Sequence, residues 1–184
     1  MALLRLNIDG KSVEVDKGTT ILAAARSNGI KIPTHCYDES LQPYGGCRLC
    51  MVEICRNDRK RLVASCVYEA EEGLVVRTRT PKIDSIRRMI IELTWPNLSH
   101  YAQEYGARAN RFDNGNRDCT LCGKCVRFCA ESGLADIVYF KGRGINRDVD
   151  LTPDRNYDYG AYQKCMSYCS AGRLRDKIME LWSK

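Results

Sequence analysis

Histidine is nearly absent from this 184-residue chain (two, His35 and His100), as are tryptophan (two) and phenylalanine (three). With so few imidazoles, a histidine-rich metal site or a serine–histidine triad has little to draw on. No run of 18 apolar residues occurs, so no membrane-spanning helix is expected. The first residues, Met1 to Asp9, pass straight into a strand pattern with no apolar core or cleavage site of a secretory signal. No glycine-rich dinucleotide fingerprint and no phosphate-binding loop are present; Gly142-Arg143-Gly144 is too short for either. No nucleophile–base constellation stands out, so no catalytic residue is assigned.

Cysteine is what the chain has in excess, 11 in all. Disulfides would need an oxidising compartment, and an odd count suits them poorly. The expectation is therefore a cytoplasmic chain whose cysteines bind metal. The formal charge of +6 counts every cysteine as neutral. Two clusters held by thiolates would remove about 4 charges and leave roughly +2. The basic residues are interleaved with acids, as in Arg56-Asn57-Asp58-Arg59, so no nucleic-acid partner is expected.

The pattern along the chain is α+β. Alternating residues at 3–8 and 12–15 flank Asp9-Gly10, a hairpin turn pair. Thr19 or Thr20 caps a helix carrying Ile21, Leu22 and Ala25, with Gly29 as its left-handed terminator. A turn-rich loop runs from His35 to Cys50. Strands are predicted at 51–54, 62–67 and 74–77, giving a first domain over 1–78. Pro81 opens a connector, 79–110, whose helix shows Ile83, Ile86, Ile90 and Leu93 at helical spacing, followed by a short helix over 98–105. This connector is read as carrying no chemistry. The third region, 111–184, ends in a helix over 174–182 with Leu174, Ile178 and Leu181 on one face.

Cys36, Cys47, Cys50 and Cys66 stand at C-x10-C-x2-C-x15-C. Two bridged irons need four thiolates converging on a compact point, and a curling loop delivers three of them. Gly45 and Gly46 let backbone N–H groups approach cluster sulfurs. Zinc, the competing occupant, favours two C-x2-C pairs, and only one is present. Cys55 lies outside the spacing and reads as a buried structural thiol.

The phrase Gly46-Cys47-Arg48-Leu49-Cys50-Met51-Val52-Glu53, with Ile32-Pro33-Thr34-His35-Cys36 before it and Ser65-Cys66 after it, resembles a known group. It is similar to the N-terminal [2Fe–2S] domain of the large iron–sulfur subunit of respiratory complex I. The same domain occurs in the diaphorase iron–sulfur subunit of NAD(P)-linked hydrogenases and in related formate dehydrogenases. The resemblance covers residues 1–78. It implies a β-grasp fold with all four cysteines as ligands of one [2Fe–2S] cluster.

Cys119, Cys122, Cys125 and Cys129 form C-x2-C-x2-C-x3-C, the run of a cubane [4Fe–4S] cluster whose fourth ligand comes from a distance. Read backward from Cys169, the positions Cys165, Tyr162 and Tyr159 trace a decayed second run. One [4Fe–4S] cluster on Cys119, Cys122, Cys125 and Cys169 is therefore expected, in a bacterial-ferredoxin-like domain, with Cys129 and Cys165 left as the stranded pair of a lost site. The resemblance agrees: the complex I subunit places its remote ligand some forty residues on, although Ser170 replaces the usual proline. That subunit also has an intermediate cluster with one histidine ligand. Here no cysteine lies between Cys66 and Cys119, so that cluster is absent and His100 is read as a surface or packing residue.

The expected role is an electron-transfer subunit of a larger oxidoreductase. The resemblance implies a hetero-oligomer with a flavin- and NAD(P)(H)-binding subunit and a further redox subunit. A free two-cluster ferredoxin, or a thiol or iron sensor built on Cys129 and Cys165, are the alternatives.

Overall fold

A computed structural model describes residues 3–109, 111–112, 119–134, 137–152, 159–169 and 171–183. The chain divides into two compact units, one made of residues 1–37 and 43–112, the other of 38–42 and 113–184.

The first unit is a mixed α/β fold. Strands β1 (Leu3–Ile8) and β2 (Lys11–Asp16) form an antiparallel hairpin in the register Leu3↔Asp16 to Ile8↔Lys11. Asp9 (φ 52°) and Gly10 (φ 88°) make the turn, and only glycine and a few short polar residues adopt such angles readily. Thr20 caps helix α1 (Ile21–Ser27) by accepting from the Ala23 N–H at 3.2 Å. Its apolar face, Ile21, Leu22, Ala24 and Ala25, is fully buried. Strands β3 (Met51–Arg56), β4 (Arg59–Ala64) and β5 (Val75–Arg77) complete a five-stranded sheet in the order β2-β1-β5-β3-β4, with β1 and β5 parallel. The predicted strand at 62–67 thus lies three residues earlier. Asn57 and Asp58 both take positive φ and turn β3 directly into β4, and residues 65–67 leave the ladder.

Helix α2 (Pro81–Leu93) begins with Pro81 behind the Thr80 cap, as expected, and belongs to this unit. Its buried stripe differs from the one read in the sequence. Ile83, Arg87 and Ile91 face inward at i, i+4, i+8, whereas Leu93 is half exposed. A charge in the middle of the buried row hides that row from a search for apolar periodicity. A single 3-10 turn (Ser99–Tyr101) and helix α3 (Ala102–Tyr105) follow, closed by Gly106 in the left-handed conformation. Leu49, Ile91, Leu98 and Tyr105 form a small core there. His100 is exposed and lies against the Tyr101 ring.

The second unit contains α4 (Lys124–Glu131), a hairpin of β6 (Val138–Lys141) with β7 (Asp148–Leu151), α5 (Tyr159–Ser167) and α6 (Arg173–Trp182). Its core gathers Cys125, Cys129, Ile137, Val149, Tyr162, Cys165, Leu174 and Ile178. Lys177 of α6 pairs with Asp148 at 3.0 Å and also meets the Val149 carbonyl, fastening the last helix to the hairpin. Among the described residues no helix is long and apolar enough to cross a membrane.

Candidate metal centre

In the first unit, Cys36 and Cys47 lie on the loop between α1 and β3, Cys50 precedes β3, and Cys66 follows β4. The structure brings all four together. The Cys47 N–H donates to the Cys36 sulfur at 3.4 Å, and the Cys50 and Cys66 sulfurs are 3.4 Å apart. Cys36 acts electrostatically on both Cys50 and Cys66. Three of the four are buried and Cys47 is half-buried.

The thiols titrate as a group. The hydrogen bond with Cys36, then burial, pushes Cys47 far above its ordinary value. The proton shared with Cys66 draws Cys50 down to about 6 and drives Cys66 up. Burial penalises the cluster-free thiolates of Cys47 and Cys66, as expected where bound iron would supply the countercharge.

Backbone donors are aimed at the sulfurs. The Gly45 N–H draws the Cys66 thiol down and the Leu49 N–H the Cys47 thiol, each against the larger upward push of burial and a neighbouring sulfur. Gly45 (φ 65°) and Arg48 (φ 63°) are left-handed. A Cβ on Gly45 would press on both Val67 methyls at 3.3 Å. Such a cradle of thiols and N–H donors fits an iron–sulfur cluster. Among the described residues no three His, Cys, Asp or Glu side chains converge tightly enough to hold a single metal ion.

The carbonyls at this site are held too. Ser65 is fully buried, and its hydroxyl donates to the Cys50 carbonyl at 2.8 Å. Arg87 donates to the Leu49 carbonyl at 3.2 Å and to that of Met51 at 3.0 Å. Three consecutive carbonyls around Cys50 are thereby fixed. Arg87 escaped sequence analysis; its signal is a charged residue at i+4 between Ile83 and Ile91. Cys55 stands apart on β3 and is half-buried rather than buried, because its strand exposes that face.

In the second unit, Cys119, Cys122, Cys125 and Cys169 also gather. Burial, followed by the neighbouring Cys169, Cys122 and Cys119, pushes the Cys125 thiol up to about 12. Cys119 is raised by burial and by Cys122 and Cys169, against an opposing N–H from Leu121. That N–H lies 3.4 Å from the Cys119 sulfur, and Leu121 takes φ 54°. Leu49, at the same offset from Cys47, acts on that thiol in the same direction.

Cys129 and Cys165 do not remain stranded thiols. They form a disulfide between α4 and α5, with Cα atoms 6.2 Å apart. Both are fully buried in the core of the unit, where the helices that carry them pack together. Tyr162 is fully buried and its hydroxyl donates to the Thr152 carbonyl at 3.1 Å, so it serves the core. Ser170 and the side chain of Tyr159 lie outside the described residues.

Comparison with known proteins bears on the first unit. Residues 2–81 match the family described as the 2Fe-2S iron-sulfur cluster binding domain. The matched segment spans Cys36, Cys47, Cys50 and Cys66. The resemblance read from the cysteine spacing holds along the rest of the chain as well. An NADH-quinone oxidoreductase subunit of Rhizobium meliloti is 33% identical over 205 positions, covering 94% of this chain. The NADPH-Fe(3+) oxidoreductase subunit alpha of Geobacter sulfurreducens is 32% identical over 207 positions, covering 95%. The chain spans only 24% of the length of each. A chain in the crystal structure of an NAD+-reducing [NiFe]-hydrogenase superposes with a TM-score of 0.71 at 27% identity, over 82% of this chain and 76% of that one. The match to the 2Fe-2S family thus lies within a longer stretch of similarity to subunits named for NADH and NADPH oxidoreductases.

Proposed function

We propose that this chain is an iron–sulfur relay that passes single electrons within a larger NAD(P)-linked oxidoreductase. The observation that carries the reading is the presence of two separate four-cysteine sets, each with backbone N–H groups turned toward sulfur. In this reading Cys36, Cys47, Cys50 and Cys66 hold one [2Fe–2S] cluster in a β-grasp domain, consistent with the strand order β2-β1-β5-β3-β4 and the single crossing helix. Cys119, Cys122, Cys125 and Cys169 hold one [4Fe–4S] cluster in a ferredoxin-like second domain. Bound clusters supply one-electron chemistry with little nuclear rearrangement.

The chain's own residues do the rest. The Cys47 and Leu121 N–H groups donate to sulfur, favouring the more negative reduced state. The buried surroundings of Cys36, Cys50 and Cys66 keep water away and limit the reorganisation that accompanies each electron. The partners are a flavin- and NAD(P)(H)-binding subunit and a further redox subunit, in a hetero-oligomer. This chain has no nucleotide fingerprint of its own.

The test is iron and acid-labile sulfide per chain on anaerobically purified protein, with EPR after reduction. About six of each, with one [2Fe–2S] and one [4Fe–4S] signal, is expected. About two of each would remove the second cluster, and about ten would show a further one. A thiol switch is the second reading, favoured by the bonded Cys129 and Cys165. It predicts that replacing both with serine changes the redox response of electron transfer.

A further inference from the structure

Arg87 is the largest fully buried side chain among the described residues, 1% exposed, and it stands in the middle of an apolar stripe. A guanidinium so placed normally needs a carboxylate beside it, because an unpaired buried charge is strongly disfavoured. Among the described residues none of the ion pairs includes it. Its hydrogen-bond acceptors are neutral: the Leu49 carbonyl, the Met51 carbonyl and the Tyr105 hydroxyl at 3.2 Å. The nearest acid along this network, Glu104, is reached only through Tyr105 and is already engaged by Arg79 at 3.0 Å. Two of the three acceptors flank Cys50.

A buried cation with neutral partners is stabilised if a negative group lies close by. Four thiolates around two irons supply one, of about −2 when oxidised and one unit more negative after taking up an electron. The charge that appears on reduction is therefore felt by a cation already fixed in a low-dielectric wall. Fixed positive charge favours the state with more negative charge, and in such surroundings it is poorly screened.

We propose that Arg87 is a positioning residue for the [2Fe–2S] site and also its fixed countercharge: it clamps the carbonyls on either side of Cys50 and raises the midpoint potential of the centre. The inference rests on the assignment of Cys36, Cys47, Cys50 and Cys66 as ligands.

The experiment is an EPR-monitored redox titration of the full, cluster-loaded chain, comparing wild type with Arg87→Gln and Arg87→Lys. Gln removes the charge; Lys keeps it but cannot clamp two carbonyls with one planar fork. Arg87→Gln is expected to lower the reduced-to-oxidised ratio of the [2Fe–2S] centre at fixed ambient potential by about tenfold, or about 59 mV for a one-electron couple. Arg87→Lys is expected to stay within about threefold of wild type while binding its cluster less tightly, read as faster loss of the visible absorbance to a chelator. A Gln variant that titrates with wild type overturns the proposal. If the Gln variant does not load a cluster, the Lys variant decides. Wild-type potential in Lys supports the countercharge; a lowered potential, or failure to load, overturns it. A wild-type chain with no [2Fe–2S] signal would instead refute the ligand assignment, which separates the two failures.

Discussion

Cys129 on α4 and Cys165 on α5 are bonded across the core of the second unit, 36 residues apart in sequence. A cross-link over that separation stabilises the fold by about 4 kcal/mol in the chain-entropy account. Cys129→Ser with Cys165→Ser should lower the unfolding free energy of the second unit by up to about that amount. Its cluster should still load. Denaturant unfolding of the loaded chain measures the first effect and EPR the second. Thiol titration of the denatured, cluster-free chain should find nine free thiols, not eleven.

The two cysteine sets predict separable losses. Cys47→Ser should abolish the [2Fe–2S] signal and leave the other. Cys122→Ser or Cys169→Ala should do the reverse. If Cys169→Ala keeps a full [4Fe–4S] signal while Cys129→Ser destroys it, the remote ligand has been misassigned. Iron content read beside each EPR spectrum distinguishes loss of a cluster from loss of its signal.

Gly45 offers a test of the backbone donors. Its φ of 65° costs a side-chain-bearing residue about 1–2 kcal/mol. The added methyl would also meet Val67 at 3.3 Å. Gly45→Ala should destabilise the first unit by about that much and loosen the N–H directed at Cys66. A lower thermal midpoint together with a lower [2Fe–2S] potential is expected. A lower midpoint alone would mean that the donor does not tune the centre.

Acid should act on the second unit through Asp148. Burial favours its neutral form, yet the Lys177 hydrogen bond, the Val149 N–H and Arg173 together outweigh this and leave its pKa lowered. A lowered carboxylate contributes stability in full above its unfolded value and loses it as pH falls through the folded value. The stability of the second unit should therefore decline below about pH 4. Lys177→Met should flatten that decline and lower stability at neutral pH. Chemical denaturation at pH 3, 5 and 7 would show both, and an unchanged slope would dismiss the pair as a contributor.

Much of this was legible beforehand, for local reasons. Asp9-Gly10, Thr20 and Pro81 act through the backbone a few residues around them, so turn, cap and helix start could be read directly. The cysteine spacings were informative because a cluster dictates its own geometry. What escaped depended on partners distant in sequence. Arg59, Lys60 and Arg61 fell outside the predicted strand at 62–67, but they lie at the sheet edge, where charged side chains face water and the backbone still pairs. The hairpin of β6 and β7 gave no firm pattern, since the strands are only four residues each. Cys129 and Cys165 could not be paired without knowing that α4 and α5 pack together. Arg87 went unread, because its acceptors are carbonyls almost forty residues earlier.

That last distance bears on where the first domain can be cut. The segment recognisable as a cluster-binding family ends at residue 81. The side chain that clamps Leu49 and Met51 comes later, as do Ile91, Leu98 and Tyr105, which cover Leu49. A fragment truncated at the end of the recognisable segment would carry every candidate ligand of its cluster and lack the splint that holds the loop in register. The compact unit extends to Phe112, past Glu92, which takes hydrogen bonds from Arg108 and Arg111. Ligand inventory and folding unit thus have different borders in this chain.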